Sequence, residues 1–111
     1  MTLHDDGVRM KHMLDYSREA LDLVKDRSRL DLDTDRVLEL ALVRLLEIIG
    51  EAASRVSEEG RERYPEIPWP QIISLRNRLI HGYDSVDMDV LWEILQGDLP
   101  ALILKLEKYN A

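Results

Sequence analysis

Apolar residues recur along most of this chain at intervals of three and four, the spacing that lines one face of an α-helix. Nowhere do they alternate one by one, as a half-buried strand would require. The first helical pattern runs over about residues 3–26. Thr2 and Asp5 stand at capping-box spacing, and Met10, Met13, Leu14, Ala20, Leu21 and Val24 follow along one stripe. A polar run over residues 26–35 predicts a connection, with Asp33 or Thr34 capping a second helix that reaches about Glu59 and is closed by Gly60. Three of the four prolines, Pro65, Pro68 and Pro70, make residues 61–70 extended or turning; Pro70 suits the first position of a third helix, and Trp69 anchors the loop. Ile72, Leu75 and Leu79 give that third helix an inner face. Asp87 caps the next helix, whose Val90, Leu91, Ile94 and Leu95 face inward, with Val86 and Leu91 placed as a hydrophobic staple. Gly97 and Pro100 then interrupt the pattern before a final helical stretch from Leu99 to about Tyr109, with Asp98 as its cap if it is separate. These elements predict an all-α fold: an antiparallel bundle of four long helices, the last broken or kinked near Gly97 and Pro100. One domain is expected to span residues 1–111.

The second helix is apolar over an unusually wide arc. Leu38, Leu42, Leu45, Ile49, Ala53 and Val56 form one stripe, and Val37, Ala41, Ile48 and Ala52 form the next. Such breadth predicts burial on two sides, one toward the chain's own core and one toward a second subunit. The remaining stripe carries Arg36, Arg44, Glu47, Glu51 and Arg55. Its plain reading is a solvated face laced with ion pairs; the sharper one is that Glu51 or Arg44 approaches the third helix and orients its cations.

Composition narrows the class. The 111 residues include no cysteine and no phenylalanine, so the core must be aliphatic and neither disulfides nor thiolate metal sites are available. That usage fits a reducing cytoplasm. No apolar run is long enough to span a bilayer, and no signal peptide is recognisable. A formal charge of −7 opposes non-specific binding to nucleic acid, because the overall field repels phosphates. A polyanionic substrate would need a local cationic site.

One such site exists. From Ile67 to Tyr83 there is no Asp or Glu, where the average composition would put about three. Within it stand Arg76, Asn77, Arg78, His81, Gly82 and Tyr83. Arginine is a permanent planar cation whose fork of donors suits phosphate oxygens, and histidine exchanges a proton near neutral pH, so the pair suits phosphodiester cleavage. Five residues apart on an ideal helix, Arg76 and His81 point about 140° away from each other. The helix must therefore end near His81, with Gly82 in the left-handed conformation that closes it. Taken singly, each residue has an ordinary structural role open to it: an imidazole complementing a helix dipole, a guanidinium in a surface ion pair.

The segment Arg76-x4-His81-x-Tyr83, with polar Asn77 after the arginine, resembles the signature of HEPN domain ribonucleases. More narrowly, the chain resembles the HepT-like toxins that pair with a minimal nucleotidyltransferase antitoxin. Residues 47–53 (Glu47, Gly50 and Glu51 among them), residues 65–69, and Asp98, Leu99 and Pro100 carry the likeness over nearly the whole chain. The resemblance implies a HEPN-like bundle and a metal-independent endoribonuclease without cofactor, acting on an RNA such as a tRNA or mRNA. It implies that Arg76 and His81 are catalytic, with Asn77, Arg78 and Glu51 supporting them. It also implies a homodimer, or a higher complex with the antitoxin, in which two His81 and two Arg76 share one cleft. Tyr83 would be the residue to which the partner attaches AMP. The alternative is a non-catalytic nucleotide-binding or regulatory subunit of a nucleotidyltransferase complex.

Overall fold

Helix α3 (Arg36–Ser54) packs against more of the other elements than any other does. Its stripe of Leu38, Leu42, Leu45, Leu46, Ile49 and Ala53 is buried, and losing the side chain of a residue such as Leu42 would cost about 2–5 kcal/mol. The computed structural model describes residues 3–83 and 85–109, with the side chains of residues 3 and 4 left aside; the cap expected at Thr2 lies outside them. Helix α1 (Leu3–Val24) lies along α3 and buries Met10, Met13, Leu14, Ala20 and Val24, so the methionines are core filling. The chain is mostly helical, as an all-α fold requires. Among the described residues no helix is long and apolar enough to cross a membrane.

Several boundaries differ from the sequence reading, each for a local reason. The first connection contains a short helix, α2 (Arg29–Thr34), held by one buried leucine, Leu32. That places the cap of α3 at Asp35 rather than Asp33 or Thr34, and the Asp35 carboxylate accepts the Leu38 N–H at 3.0 Å. Helix α3 stops at Ser54 instead of continuing to Glu59. Ser57 then starts a new helix, α4 (Glu58–Arg63), by accepting the Gly60 N–H on its hydroxyl at 3.0 Å. Gly60 therefore does not close a helix. It sits inside one, where a Cβ would run into the carboxylate of buried Asp6. Asp6 in turn accepts both the backbone N–H of Ser57, at 2.8 Å, and its hydroxyl, at 2.5 Å.

Trp69 anchors the proline-rich loop as expected: its ring is buried and its indole N–H is shared between the carbonyls of Arg61 and Tyr64, at 3.2 and 3.1 Å. The third helix is two short ones, α5 (Trp69–Ile73) and α6 (Leu75–Leu79), joined at Ser74. Ile72, Leu75 and Leu79 form its buried face. After Leu79 the backbone becomes extended at Ile80 and forms a small antiparallel hairpin, β1 (Ile80–His81) with β2 (Ser85–Val86). No strand was expected here, since two residues are too few to display alternation. Gly82 does take a positive φ, 78°, but in the hairpin turn rather than as the closing residue of a helix.

The last helix is neither separate nor broken. Helix α7 (Met88–Glu93) continues through a π turn (Ile94–Asp98) into α8 (Leu99–Tyr109), which packs on α1. Pro100 has no N–H to give the ladder and its ring crowds the carbonyl one turn back. The helix absorbs this by widening: the Leu99 N–H reaches five residues back to the Ile94 carbonyl. Asp98, freed from capping, binds Arg78.

Candidate active site

The position of Arg76 follows from a glycine on another helix. At Gly50 of α3, a Cβ would stand 3.2 Å from both the Ile72 and Ile73 carbonyl oxygens. A contact that tight is rare for a real Cβ, so glycine lets the backbone of α5 lie this close to α3 without either element giving way. Docked there, α6 brings Arg76 over the charged stripe of α3, where its Nε lies 3.6 Å from Oε1 of Glu47. The second oxygen of Glu47 accepts from Arg44 at 3.4 Å. One carboxylate thus stands between two guanidinium groups. Half of the Arg76 side chain remains exposed, and its long ion pair leaves donors for an incoming acceptor.

Two clefts meet at this pair. One, of about 320 Å³, is lined by Arg44, Glu47, Glu51, Arg76 and Asn77, with Gly50 at its floor. The other, of about 200 Å³, has an apolar wall from Leu40, Val43, Ile80 and Val86, and both Arg76 and Tyr83 line it. Tyr83 is 94% exposed in the hairpin turn.

His81 is held separately. It stands on β1 with 66% of its side chain exposed, and its Nε2 lies 3.4 Å from Oδ2 of Asp87. The other oxygen of Asp87 accepts the N–H groups of Asp89 and Val90, at 3.0 and 3.1 Å, and so caps α7. The Val90 N–H is the main reason the Asp87 carboxyl lies below the usual range; the His81 ring lowers it further. Asp87 therefore does two things at once, starting a helix and orienting an imidazole, which is the arrangement of a base and its orienting carboxylate.

The motif residues are thus distributed over two places. Arg76, Asn77 and Glu51 share a cleft, and Arg76 and Tyr83 share another. Among the described residues no hydrogen bond joins Arg76 to His81. Arg78 is engaged with Asp98 at 2.7 Å, each side chain about one-third exposed or less. Glu51 is paired with Arg55 at 2.9 Å. The acid that approaches Arg76 is Glu47, and Arg44 reaches the motif only through it. Periodicity could not single out Glu47, because four other charges repeat along the same stripe. Asp87 was legible as a cap but not as the partner of His81. Among the described residues, no three metal-ligating side chains cluster.

Residues 13–109 match the family described as Ribonuclease HepT-like, and the chain belongs to that family. It is 37% identical to "Probable ribonuclease HepT" of Thermococcus cleftensis, over 88% of this chain and 93% of that one. It is 31% identical to "Putative RNase MJ1380" of Methanocaldococcus jannaschii, over 96% and 98% of the two chains. A third relative, "Putative RNase TTE0752" of Caldanaerobacter subterraneus subsp. tengcongensis, is 38% identical over 84% and 83%. No solved structure matches the chain.

Proposed function

We propose that this protein is a cytoplasmic, metal-independent endoribonuclease, the toxin of a type VII-like toxin–antitoxin pair, built as a single HEPN-like four-helix domain. The observation that carries this reading is that Arg76 and His81, in a chain of the HepT-like family, are each at least half exposed and each held by one carboxylate. In the reaction the 2′-oxygen of the RNA attacks the adjacent phosphorus. The 2′-hydroxyl proton goes to a base, and the 5′-oxygen leaves with a proton from an acid. His81 serves as base or acid, and Arg76 meets the charge growing on the phosphoryl oxygens. One imidazole cannot do both jobs in one turnover, so the working unit is a homodimer that brings two motifs to one cleft. Support for a second copy comes from Val37 and Leu40, 77% and 53% exposed, at the end of α3 that borders the Tyr83 cleft. Asn77 orients the motif, Arg78 steadies it through Asp98, and Glu51 supports it from the wall of the cleft it shares with Arg76 and Asn77.

Control falls to Tyr83. A nucleotidyltransferase antitoxin would direct the phenolic oxygen onto the α-phosphorus of ATP, releasing pyrophosphate and the phenolic proton and leaving AMP on Tyr83. Because Tyr83 and Arg76 line one cleft, the added phosphate would occupy the cation that the RNA needs.

The test is a cleavage assay on cellular RNA with mapped ends, in excess chelator. Products ending in 2′,3′-cyclic phosphate and 5′-hydroxyl are expected, and a requirement for Mg²⁺ or Mn²⁺ rejects the mechanism. A second reading, a non-catalytic nucleotide-binding or regulatory subunit, draws on the fact that both motif side chains already have carboxylate partners within the chain. It predicts no cleavage and no toxicity on expression.

A further inference from the structure

A third cleft, of about 210 Å³, opens between α1 and α3, and none of the roles above uses it. Arg9, His12 and Arg55 line it together with Glu51. Glu51 also lines the Arg76 cleft, so the two clefts lie on either side of that one residue. Arg9 is the unusual member. Its Nε is shielded from solvent and has no hydrogen-bond partner, and no ion pair engages its guanidinium among the described residues. That shielded atom is out of an external ligand's reach, but a guanidinium without an ion pair has no partner that a phosphate would have to displace. Arg55 directs its two contacts to a single oxygen of Glu51, at 3.0 and 2.9 Å, and more than half of its side chain stays exposed. Beside the cleft, the rings of His12 and Tyr16 are 6.2 Å apart and tilted by 60°.

Charge points the same way. Across both clefts the cations are Arg9, Arg44, Arg55 and Arg76 and the anions are Glu47 and Glu51, an excess of two (4 − 2). The whole chain carries −7. A positive track on an acidic protein selects an anion that can span it, and a phosphodiester strand does so with successive phosphates.

We propose that the α1–α3 cleft is a phosphate subsite for single-stranded RNA. The strand whose scissile phosphate meets Arg76 continues across Glu51, sets a flanking phosphate on Arg9 and Arg55, and lays a base beside His12 and Tyr16. This rests on the ribonuclease reading and adds to it a strand path and a substrate form.

The experiment uses the full chain bearing His81→Ala, which holds RNA without cutting it. The probe is a fluorescein-labelled pool of short single-stranded RNA of random sequence, followed by anisotropy over a salt series. Adding Arg9→Ala should raise Kd about tenfold and lower the slope of log K against log salt by roughly 0.7, the value of one lost phosphate contact on a single strand; Arg9→Ala with Arg55→Ala should lower it by about twice that. Arg9→Gln, which keeps the length of the side chain, should repeat the single-variant result if Arg9→Ala fails to fold. Arg63→Ala, removing an exposed cation outside these clefts, should change neither quantity. Unchanged affinity and slope in the Arg9 variants overturn the subsite, and so does equal affinity for duplex RNA. The two ideas fail separately. A wild-type chain that binds the pool with the Arg9-dependent slope but never cuts it keeps the subsite and loses the ribonuclease.

Discussion

The two halves of the Arg76-x4-His81 motif are positioned by different kinds of structure. Arg76 inherits its place from the core: α5 and α6 are seated by Ile72, Leu75 and Leu79 and by the close approach at Gly50. His81 sits on a hairpin of two residues per strand, and its orientation depends on one carboxylate that is also a helix cap. The cation is thus fixed by packing, in which small volume changes are felt. The proton carrier is fixed by hydrogen bonds at the surface, which adjust more easily. That division suits the proposed chemistry, in which a phosphate must be held still while each of two imidazoles settles onto the oxygen it serves.

The contrast can be broken at several points, and the largest effect belongs to the motif itself. His81→Ala should lower cleavage by roughly 10²–10⁴-fold and Arg76→Ala by about 10²–10³-fold, with helical circular dichroism unchanged because both side chains are exposed. Unfolding of either variant would return that residue to a structural role. Next comes Gly50→Val, which drives a side chain into the Ile72 and Ile73 carbonyls. It should cost about 1–3 kcal/mol in urea denaturation and shift Arg76 away from Glu47, so cleavage falls while the His81–Asp87 contact persists. A variant that loses stability and keeps full cleavage would show that Arg76 does not depend on the close approach. Glu47→Gln is milder. An exposed pair of this kind is worth about 0.2–1 kcal/mol, so kcat/KM should change by no more than about fivefold, and a much larger loss would make Glu47 a participant in the reaction.

The smallest effect separates the two tasks of Asp87. Its folded pKa is lowered, chiefly by the Val90 N–H and also by His81. The carboxylate therefore contributes stability that is fully present above its unfolded pKa, about 3.9, and is lost as pH falls through the lower folded value. Asp87→Asn keeps a capping oxygen but cannot ionise. The stability difference between wild type and Asp87→Asn, measured by urea denaturation, should be constant near neutrality and shrink below about pH 4. A difference that grows on acidification would contradict this assignment. Asp87→Asn should also slow cleavage by less than His81→Ala does, since the imidazole stays and only its orienting charge is lost.

Much of the fold was written in periodicity. The leucine and isoleucine stripe of α3, the methionines of α1 and the inner face at Ile72, Leu75 and Leu79 were all readable, because burial demands a helical repeat. The Asp87 cap and the Trp69 anchor were readable from local chemistry. What escaped were a break made without proline or a closing glycine, and the form of the one that Pro100 announces. Ser57 restarts the chain after α3 because Asp6, 51 positions earlier, supplies its partner, and a distant carboxylate leaves no mark in a local pattern. The π turn escaped because Pro100 signals trouble in a helix without saying whether the helix stops or widens. At the site, Arg76, His81 and Tyr83 stood out by their type and company. Glu47 did not, since only the crossing of α6 over α3 distinguishes it from Arg44, Glu51 and Arg55.

The Asp6–Ser57 contact also ties events at the start of the chain to its middle. Helix α4 has six residues, well short of the length at which a helix persists alone in water. It is fastened at its beginning by Asp6 and near its end by the Trp69 indole, which opens α5. Its amides should therefore exchange with solvent at the rate at which the first turns of α1 lift away, so that fraying at one end of the molecule is felt a few residues from α5, the helix that leads into the one carrying Arg76.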